Sequence, residues 1–262
     1  MTKLETLEVL EALLKRFICP LRAAVGDVSE PLGRPALTTP MAPDELALGA
    51  RTVVLRESYG FAGEHRVQSL LSEVSKTLPV RASAPVRLPA PSPERPAAAA
   101  TASNAPPLPL LVVYSDERST KMSTLPAGAP ASLLFYDNAR RLQARAALQR
   151  LELSEPDRRL RWGALSPRQR RAYQSAEPPG QLARSLAESH RTLESAAVGG
   201  QAQEGAASFS ALVFELQLLE LLQLDASAHR RAIFRPLPWR PMGGEGGAGD
   251  APRRWEASWL VP

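Results

Sequence analysis

Residues 110–125 read LLVVYSDERSTKMSTL, a strand pattern that runs directly into charge. The apolar half predicts a buried strand because it is short, continuous and bounded by polar residues. It is followed at once by Ser115, Asp116, Arg118, Ser119 and Lys121. Hydroxyls and cations at this place suit a turn into a helix that receives an anion such as phosphate. A solvated turn is the simpler alternative.

The composition predicts a folded protein with an excess of cations. The chain has 262 residues, 44% of them hydrophobic and 5% aromatic, so aliphatic side chains must form most of the core. The formal net charge of +5 fits a polyanion, an anionic small ligand or no specific partner.

The cysteine and histidine content argues against disulfides and metal sites. Cys19 is the single cysteine, and His65, His190 and His229 lack the short spacing of a zinc motif. We therefore expect no metal and a reducing, cytoplasmic location. Glutamates interrupt the leucines of the first residues, unlike a signal peptide, and no apolar run is long enough for a bilayer. A soluble protein without a membrane partner is expected.

The first half of the chain predicts one helix, one strand and a long insertion. Apolar residues at steps of three and four predict a helix over 3–17, and RTVVLR predicts a buried strand at Thr52–Leu55. Residues 64–77 predict a small helix. Residues 79–108 consist mainly of Pro, Ala and Ser, which predicts a disordered insertion within a single domain spanning 1–262.

Strand patterns dominate the second half. They occupy 108–114, 131–137 and 140–154, with a bulge expected near 149–151, and resume at 209–221, 229–237 and 253–262. Between these two groups of strands, Ser166 as an N-cap and Pro167 in the first turn predict the start of a helix. This order predicts a mainly β (α+β) fold, a mostly antiparallel barrel with helical excursions.

Cations recur at the predicted strands and turns. They are Arg51, Arg56, Arg118, Lys121 and Arg231. Cations at sheet edges often face water and discourage aggregation, which is one interpretation of each residue taken singly. A shared anion site is the other interpretation.

Five segments in order resemble one family. RTVVLR, YSDERSTKMSTL, ASLLFYDNARRLQAR, HRRAIF and RRWEASWLVP together resemble the pyridoxamine 5′-phosphate oxidase-like FMN-binding split-barrel family. Within it, the chain is most similar to the subgroup with a TD-x-RS-x-K turn. The likeness covers residues 50–58 and 110–262 and is weaker over 1–49.

The resemblance implies a split β-barrel that binds FMN, as a homodimer with FMN at the subunit interface. The implied flavoprotein oxidoreductase passes hydride from a small phosphorylated substrate, pyridoxamine or pyridoxine 5′-phosphate, to FMN N5, and dioxygen reoxidises the flavin. The implied catalytic residues are His229 and Arg56. The implied cofactor-binding residues are Arg51, Thr52, Val53, Val54, Leu55, Arg56, Ser115, Asp116, Arg118, Ser119, Lys121, Gln143 and Arg231.

Departures from the family pattern keep other functions open. Leucines of residues 218–222 stand where vitamin B6 oxidases have a flavin-contacting tryptophan, and Ser227 replaces an arginine that grips the substrate. The residues for the substrate phosphate have several candidates: Arg168, Arg170, Arg171 and Tyr173. An FMN-binding protein or a flavin reductase with another substrate is therefore the alternative. A basic nucleic-acid-binding protein is a third, but RRLRW and RQRR come without a nucleic-acid-binding motif, which favours a solvated helix face.

Overall fold

The computed structural model describes residues 3–27, 29–39, 50–59, 65–69, 108–181, 185, 205–237 and 253–262. The insertion predicted at 79–108 lies outside these residues except for Leu108. The helices are α1 (Lys3–Ala24), α2 (Thr120–Thr124), α3 (Glu155–Ala164) and α4 (Pro167–Arg170). The strands are β1 (Ala36–Thr38), β2 (Ala50–Thr52), β3 (Leu55–Tyr59), β4 (His65–Ser69), β5 (Leu110–Asp116), β6 (Pro130–Asp137), β7 (Leu142–Leu151), β8 (Phe209–Gln223), β9 (Arg230–Pro236) and β10 (Arg253–Leu260).

These strands form one open sheet within the described residues. Its order is β2-β1-β6-β7-β8-β9-β10-β4, and β5 joins β8 to β3. All pairs are antiparallel except β10 with β4. The predicted mainly β class is confirmed. The sheet is split rather than closed, since its end strands β2 and β4 do not pair with each other.

Strand β8 connects the two halves of the sheet. One edge pairs with β7, while the other pairs with β5 over residues 209–215 and with β9 over 219–223. Ala147 pairs with Leu218 and Leu148 with Leu216, which leaves Gln217 as an extra residue. The bulge expected in β7 at 149–151 therefore lies in β8, because a bulge bends the strand where its edge partner changes.

Two apolar layers cover opposite faces of the sheet. α1 packs on the inner face, where Phe17 meets Phe135 edge to face at 5.3 Å, so the predicted N-terminal helix is confirmed and continues to Ala24. α3 covers the other face of β5 and β8, with Trp162 packed on Phe209. None of the helices in the described ranges has the length and apolarity that a bilayer crossing requires.

Two local predictions were wrong. The strand expected at Thr52–Leu55 is interrupted after residue 52, because the Val53 N–H donates to the Pro35 carbonyl as the chain passes from β1 to β5. Within the helix expected at 64–77, residues 65–69 instead form β4, whose pairing with β10 overrides the local pattern, and the rest of that segment lies outside the described residues. The helix start at Ser166 is confirmed by a capping box with Gln169.

Candidate functional site

The turn between β5 and α2 is closed by its own hydroxyl groups. Ser119 Oγ and N donate to the Asp116 carbonyl oxygen at 2.7 and 3.1 Å, and Ser115 Oγ lies 3.1 Å from Ser119 Oγ. The two serines, predicted as cofactor contacts, therefore also shape the turn. Because α2 is a single helical turn, nearby cations rather than a helix dipole must supply most of the attraction for an anion.

Arg118 grips both this turn and the chain that follows α4. Its Nε and Nη2 donate to the two Asp116 carboxylate oxygens at 3.0 and 2.8 Å, in a bidentate pair. Its Nη2 and Nη1 also donate to the carbonyls of Ser175 and Ala176, at 3.1 and 3.3 Å. Hydrogen bonding to Asp116 raises the pKa of Arg118, so this guanidinium is charged and largely engaged within the chain.

Lys121 and Arg51 are two cations of the site that form no close ion pair with a described residue. Both are half-buried, and neither side chain forms a hydrogen bond or close ion pair with another described residue. Burial lowers the pKa of Lys121, the Arg51 cation lowers it further, and Asp116 offsets part of this. The Arg51 Nε is buried without an acceptor in the described part of the chain. Two neighbouring cations of this kind favour a shared anion.

Arg56 occupies a β-bulge, and its charge acts on Tyr173. Leu55 and Glu57 pair with consecutive residues of β5, so Arg56 is the extra residue between them. As a result Leu55 faces the main core and Glu57 faces α3. Burial raises the pKa of Tyr173 to about 12, and the nearby Arg56 cation opposes that rise. Bulges often re-aim a side chain next to a functional site, and here the bulge places Arg56 near a phenol.

A buried polar network, which the sequence analysis missed, ties β3 and β5 to α3. The Arg161 side chain is 0% exposed; its Nη2 donates to Glu57 Oε2 at 2.9 Å and its Nη1 lies 3.7 Å from Asp157 Oδ1. The hydroxyls of Tyr59 and Tyr114 donate to the same Glu57 carboxylate. Burial, together with the charge of Glu57, raises the pKa of both tyrosines.

The solvated helix face predicted for RRLRW is therefore wrong for Arg161. The available signal was its spacing of four from Asp157 on one helix, next to an apolar Trp162.

Gln143, Arg231 and His229 form a second group, here called the outer-face group. Gln143 and Arg231 both pair with Leu222 of β8, so they lie about 10 Å apart across the outer face of the sheet. The Arg231 Nε donates to a Glu220 carboxylate oxygen at 3.0 Å. His229 is exposed in the connection between β8 and β9.

The outer-face group lies toward the other end of β8 from Arg56 and Arg118, which with Arg51 and Lys121 are here called the cation group. β3 and β5 join β8 near residues 209–215, whereas Gln143 and Arg231 are at residue 222. About ten strand residues separate these positions, a path of roughly 30 Å along β8. Within one chain, Lys121 and Arg118 share the β5–α2 turn, and Arg51 is close enough to Lys121 to affect its pKa. No hydrogen bond or ion pair among the described residues joins His229 to Arg56.

The candidates for a substrate phosphate differ in their surroundings. Arg168 and Arg171 are exposed. Arg170 donates to a backbone carbonyl of α3 at 2.9 Å and lies over the Trp162 ring at 5.2 Å. Tyr173 is half-buried and is the candidate placed beside the cation group.

Comparison with known proteins identifies the fold. No protein-family model matches the chain, and no curated protein matches its sequence. A solved structure of a pyridoxamine 5′-phosphate oxidase-related, FMN-binding protein from Nostoc punctiforme aligns with a TM-score of 0.53 at 15% identity, covering 94% of this chain and 95% of that chain. PhzG from Burkholderia lata, solved in complex with tetrahydrophenazine-1-carboxylic acid, aligns with a TM-score of 0.50 at 16% identity, covering 96% of this chain and 91% of that one. The chain therefore has the split-barrel fold of the pyridoxamine 5′-phosphate oxidase-related proteins.

Proposed function

We propose that this chain is an FMN-dependent oxidoreductase of the pyridoxamine 5′-phosphate oxidase type. The observation that supports it best is the pair Lys121 and Arg51, two half-buried cations with no counter-ion among the described residues. One relative in fold is named as FMN-binding. A phosphate dianion fits this pair because charge-assisted hydrogen bonds would satisfy the buried Arg51 Nε and offset the repulsion between the two cations.

In this proposal, Lys121 and Arg51 hold the FMN phosphate, and the chain from Thr52 to Arg56 runs beside the ring. Bound FMN would supply a hydride acceptor that dioxygen can reoxidise. Tyr173, with a pKa of about 12, is protonated at neutral pH and can donate a hydrogen bond to a substrate. Arg56 beside it supplies a positive charge, so the two residues suit an anionic substrate and orient it.

We further propose that a second copy of the chain supplies the outer-face group. The outer face exposes Leu134 and Tyr136, with 40% and 48% of their surfaces accessible. Leu218, Leu222 and Ile233 are half-buried on the same face. A sheet face that combines these apolar side chains with Gln143 and the Arg231–Glu220 ion pair suits a homodimer interface. A dimer would allow the Gln143, Arg231 and His229 of one copy to complete the cation group of the other.

Replacing Tyr136 with glutamate tests the dimer. The new charge would be buried in the interface, so we expect the protein to change from a dimer to a monomer of 28.3 kDa and to lose FMN affinity. Light scattering after size-exclusion chromatography measures the mass. Leu160→Glu is the control, because Leu160 is exposed on α3, outside this face. Wild-type protein that is monomeric and binds FMN fully would contradict the dimer.

The flavin and substrate proposals are tested separately. We expect purified protein to show a flavin absorption spectrum and to melt at a higher temperature with added FMN. Colourless protein that gains no stability from FMN would refute flavin binding. Peroxide release with pyridoxamine 5′-phosphate then tests the substrate.

Bound FMN without turnover would favour the alternative, an FMN-binding protein or a reductase for another substrate. Ser227 supports this alternative, since its hydroxyl pairs with Asp225 and offers no cation to a substrate phosphate.

Internal pairing of the basic segments weakens the nucleic-acid alternative. Arg158 and Arg159 pair with Glu155, and Arg161 is buried. Arg170 of RQRR also has partners within the chain, so Arg168 and Arg171 are the arginines of these segments left exposed to a phosphate backbone. Binding to DNA or RNA that weakens steeply with salt would revive it.

A further inference from the structure

We infer that Arg118 is a positioning residue rather than a ligand of the cofactor phosphate. In this role it tethers the segment 173–177, which places Tyr173 at the substrate side of the site. The inference rests on the proposed function, because it assigns roles within the same site.

The hydrogen-bond inventory of Arg118 supports this role. A guanidinium has five N–H donors, and four of them are directed at Asp116, Ser175 and Ala176. Asp116 is buried and accepts both ends of the bidentate pair. Turning Arg118 toward an external phosphate would leave a buried carboxylate and two carbonyls without these donors. Lys121 and Arg51 form no such hydrogen bonds with described residues, so we assign the binding of the phosphate to them.

The tethered segment is held at two further points. The Tyr173 ring packs edge to face on Phe209 at 5.1 Å. Its carbonyl oxygen lies so close to Gly205 that a Cβ there would be 2.8 Å away. Gly205 also has a φ of +83°, which favours glycine. With the Arg118 bonds at residues 175 and 176, these contacts hold the Tyr173 phenol where the Arg56 charge acts on it.

The arginine geometry makes a charge-preserving substitution informative. A lysine at position 118 keeps the positive charge but cannot form the bidentate pair and reach two carbonyls at once. If residue 118 acted by its charge on a phosphate, Arg118→Lys would retain most of the FMN affinity that Arg118→Gln loses. If Arg118 instead holds the segment 173–177 in place, both variants should release that segment equally.

Two measurements on the full-length chain separate the roles. The FMN dissociation constant is obtained from flavin fluorescence quenching, and amide exchange of peptides covering 173–177 from mass spectrometry. We expect Arg118→Lys and Arg118→Gln to change the dissociation constant less than about threefold and to speed exchange at 174–177 at least about tenfold. We expect Lys121→Gln to do the reverse. Arg159→Gln, a change at an exposed arginine of α3 outside the site, is the control and should change neither.

The outcomes are distinguishable. An Arg118→Gln variant that loses FMN as strongly as Lys121→Gln, with unchanged exchange at 174–177, would overturn the tether. Global unfolding of both Arg118 variants would overturn its local role. If wild-type protein binds no FMN, the proposed function fails, whereas the exchange data still decide whether Arg118 holds the segment.

Discussion

Replacing Lys121 with methionine should weaken FMN binding at least about tenfold, and Arg51→Met should have a similar effect. A charge-assisted hydrogen bond contributes about 1.5–3 kcal/mol, which corresponds to roughly ten- to 150-fold in affinity. Both side chains are half-buried and have no counter-ion among the described residues, so a phosphate bound there would be poorly screened by water. Titration of FMN against each variant measures the effect.

The matched control is Lys15→Met. Lys15 is exposed on α1, and its loss changes the net charge by the same amount as the loss of Lys121. We expect its FMN affinity to equal that of the wild type. Dissociation constants within threefold of the wild type for both site variants would mean that the phosphate binds elsewhere.

The pH dependence should follow from the ionisation of Lys121. Burial and the Arg51 cation lower the pKa of Lys121 in the free protein, so it loses its proton at a lower pH than an ordinary lysine. Only the protonated form attracts a dianion. FMN affinity should therefore be highest below this pKa and fall as the pH rises through it, and Lys121→Met should flatten that fall. An identical slope in both proteins would contradict the role of Lys121.

Replacing Arg161 with methionine should lower the free energy of unfolding by roughly 3–5 kcal/mol, the largest stability effect expected here. The substitution leaves the buried Glu57 carboxylate without its cation, although the hydrogen bonds from Tyr59 and Tyr114 persist. Urea unfolding followed by circular dichroism measures the loss.

The double variant Glu57→Leu with Arg161→Met separates charge from packing. Replacing both partners removes the buried Glu57 charge, so we expect part of the lost stability to return. The return is incomplete because Asp157 still loses its cation, and the Tyr59 and Tyr114 hydroxyls lose their acceptor. Arg159→Met on the same helix is the control: that side chain is 78% exposed, and its loss should cost less than about 1 kcal/mol. A double variant no more stable than Arg161→Met alone would contradict the electrostatic explanation.

Local sequence patterns predicted most of the strands, because the residues of these strands either alternate between buried and exposed or are buried without interruption. β5, β6, β7 and β9 lie where the apolar periods placed them. What depends on distant partners could not be predicted. The break after residue 52 follows from a change of partner between β1 and β5, and β4 exists because β10 pairs with it. The bulge of β8 is set by the same kind of long-range exchange.

The site was predictable in its residue types but not in their roles. The stretch 110–125 pointed to an anion site, and the structure places Lys121 beside Arg51, which no spacing in the sequence indicates. Arg118 belongs to the same motif, yet its partners Ser175 and Ala176 are distant in sequence. Arginine is a residue type that usually lies at the surface. The burial of Arg161 follows from its tertiary contact with Glu57, which the sequence does not show.

The arrangement of partners around β8 has a consequence for the order of folding. Its hairpin with β9 joins residues close in sequence, whereas β5 meets β8 about a hundred residues away along the chain. Closing that long loop costs entropy before any contact is gained, so β3, β5 and the turn that carries Lys121 should form last and open first. A ligand that bridges Lys121 and Arg51 would then lower the rate of unfolding. It would slow the first step of unfolding while leaving the early hairpins, and hence the rate of their formation, unchanged.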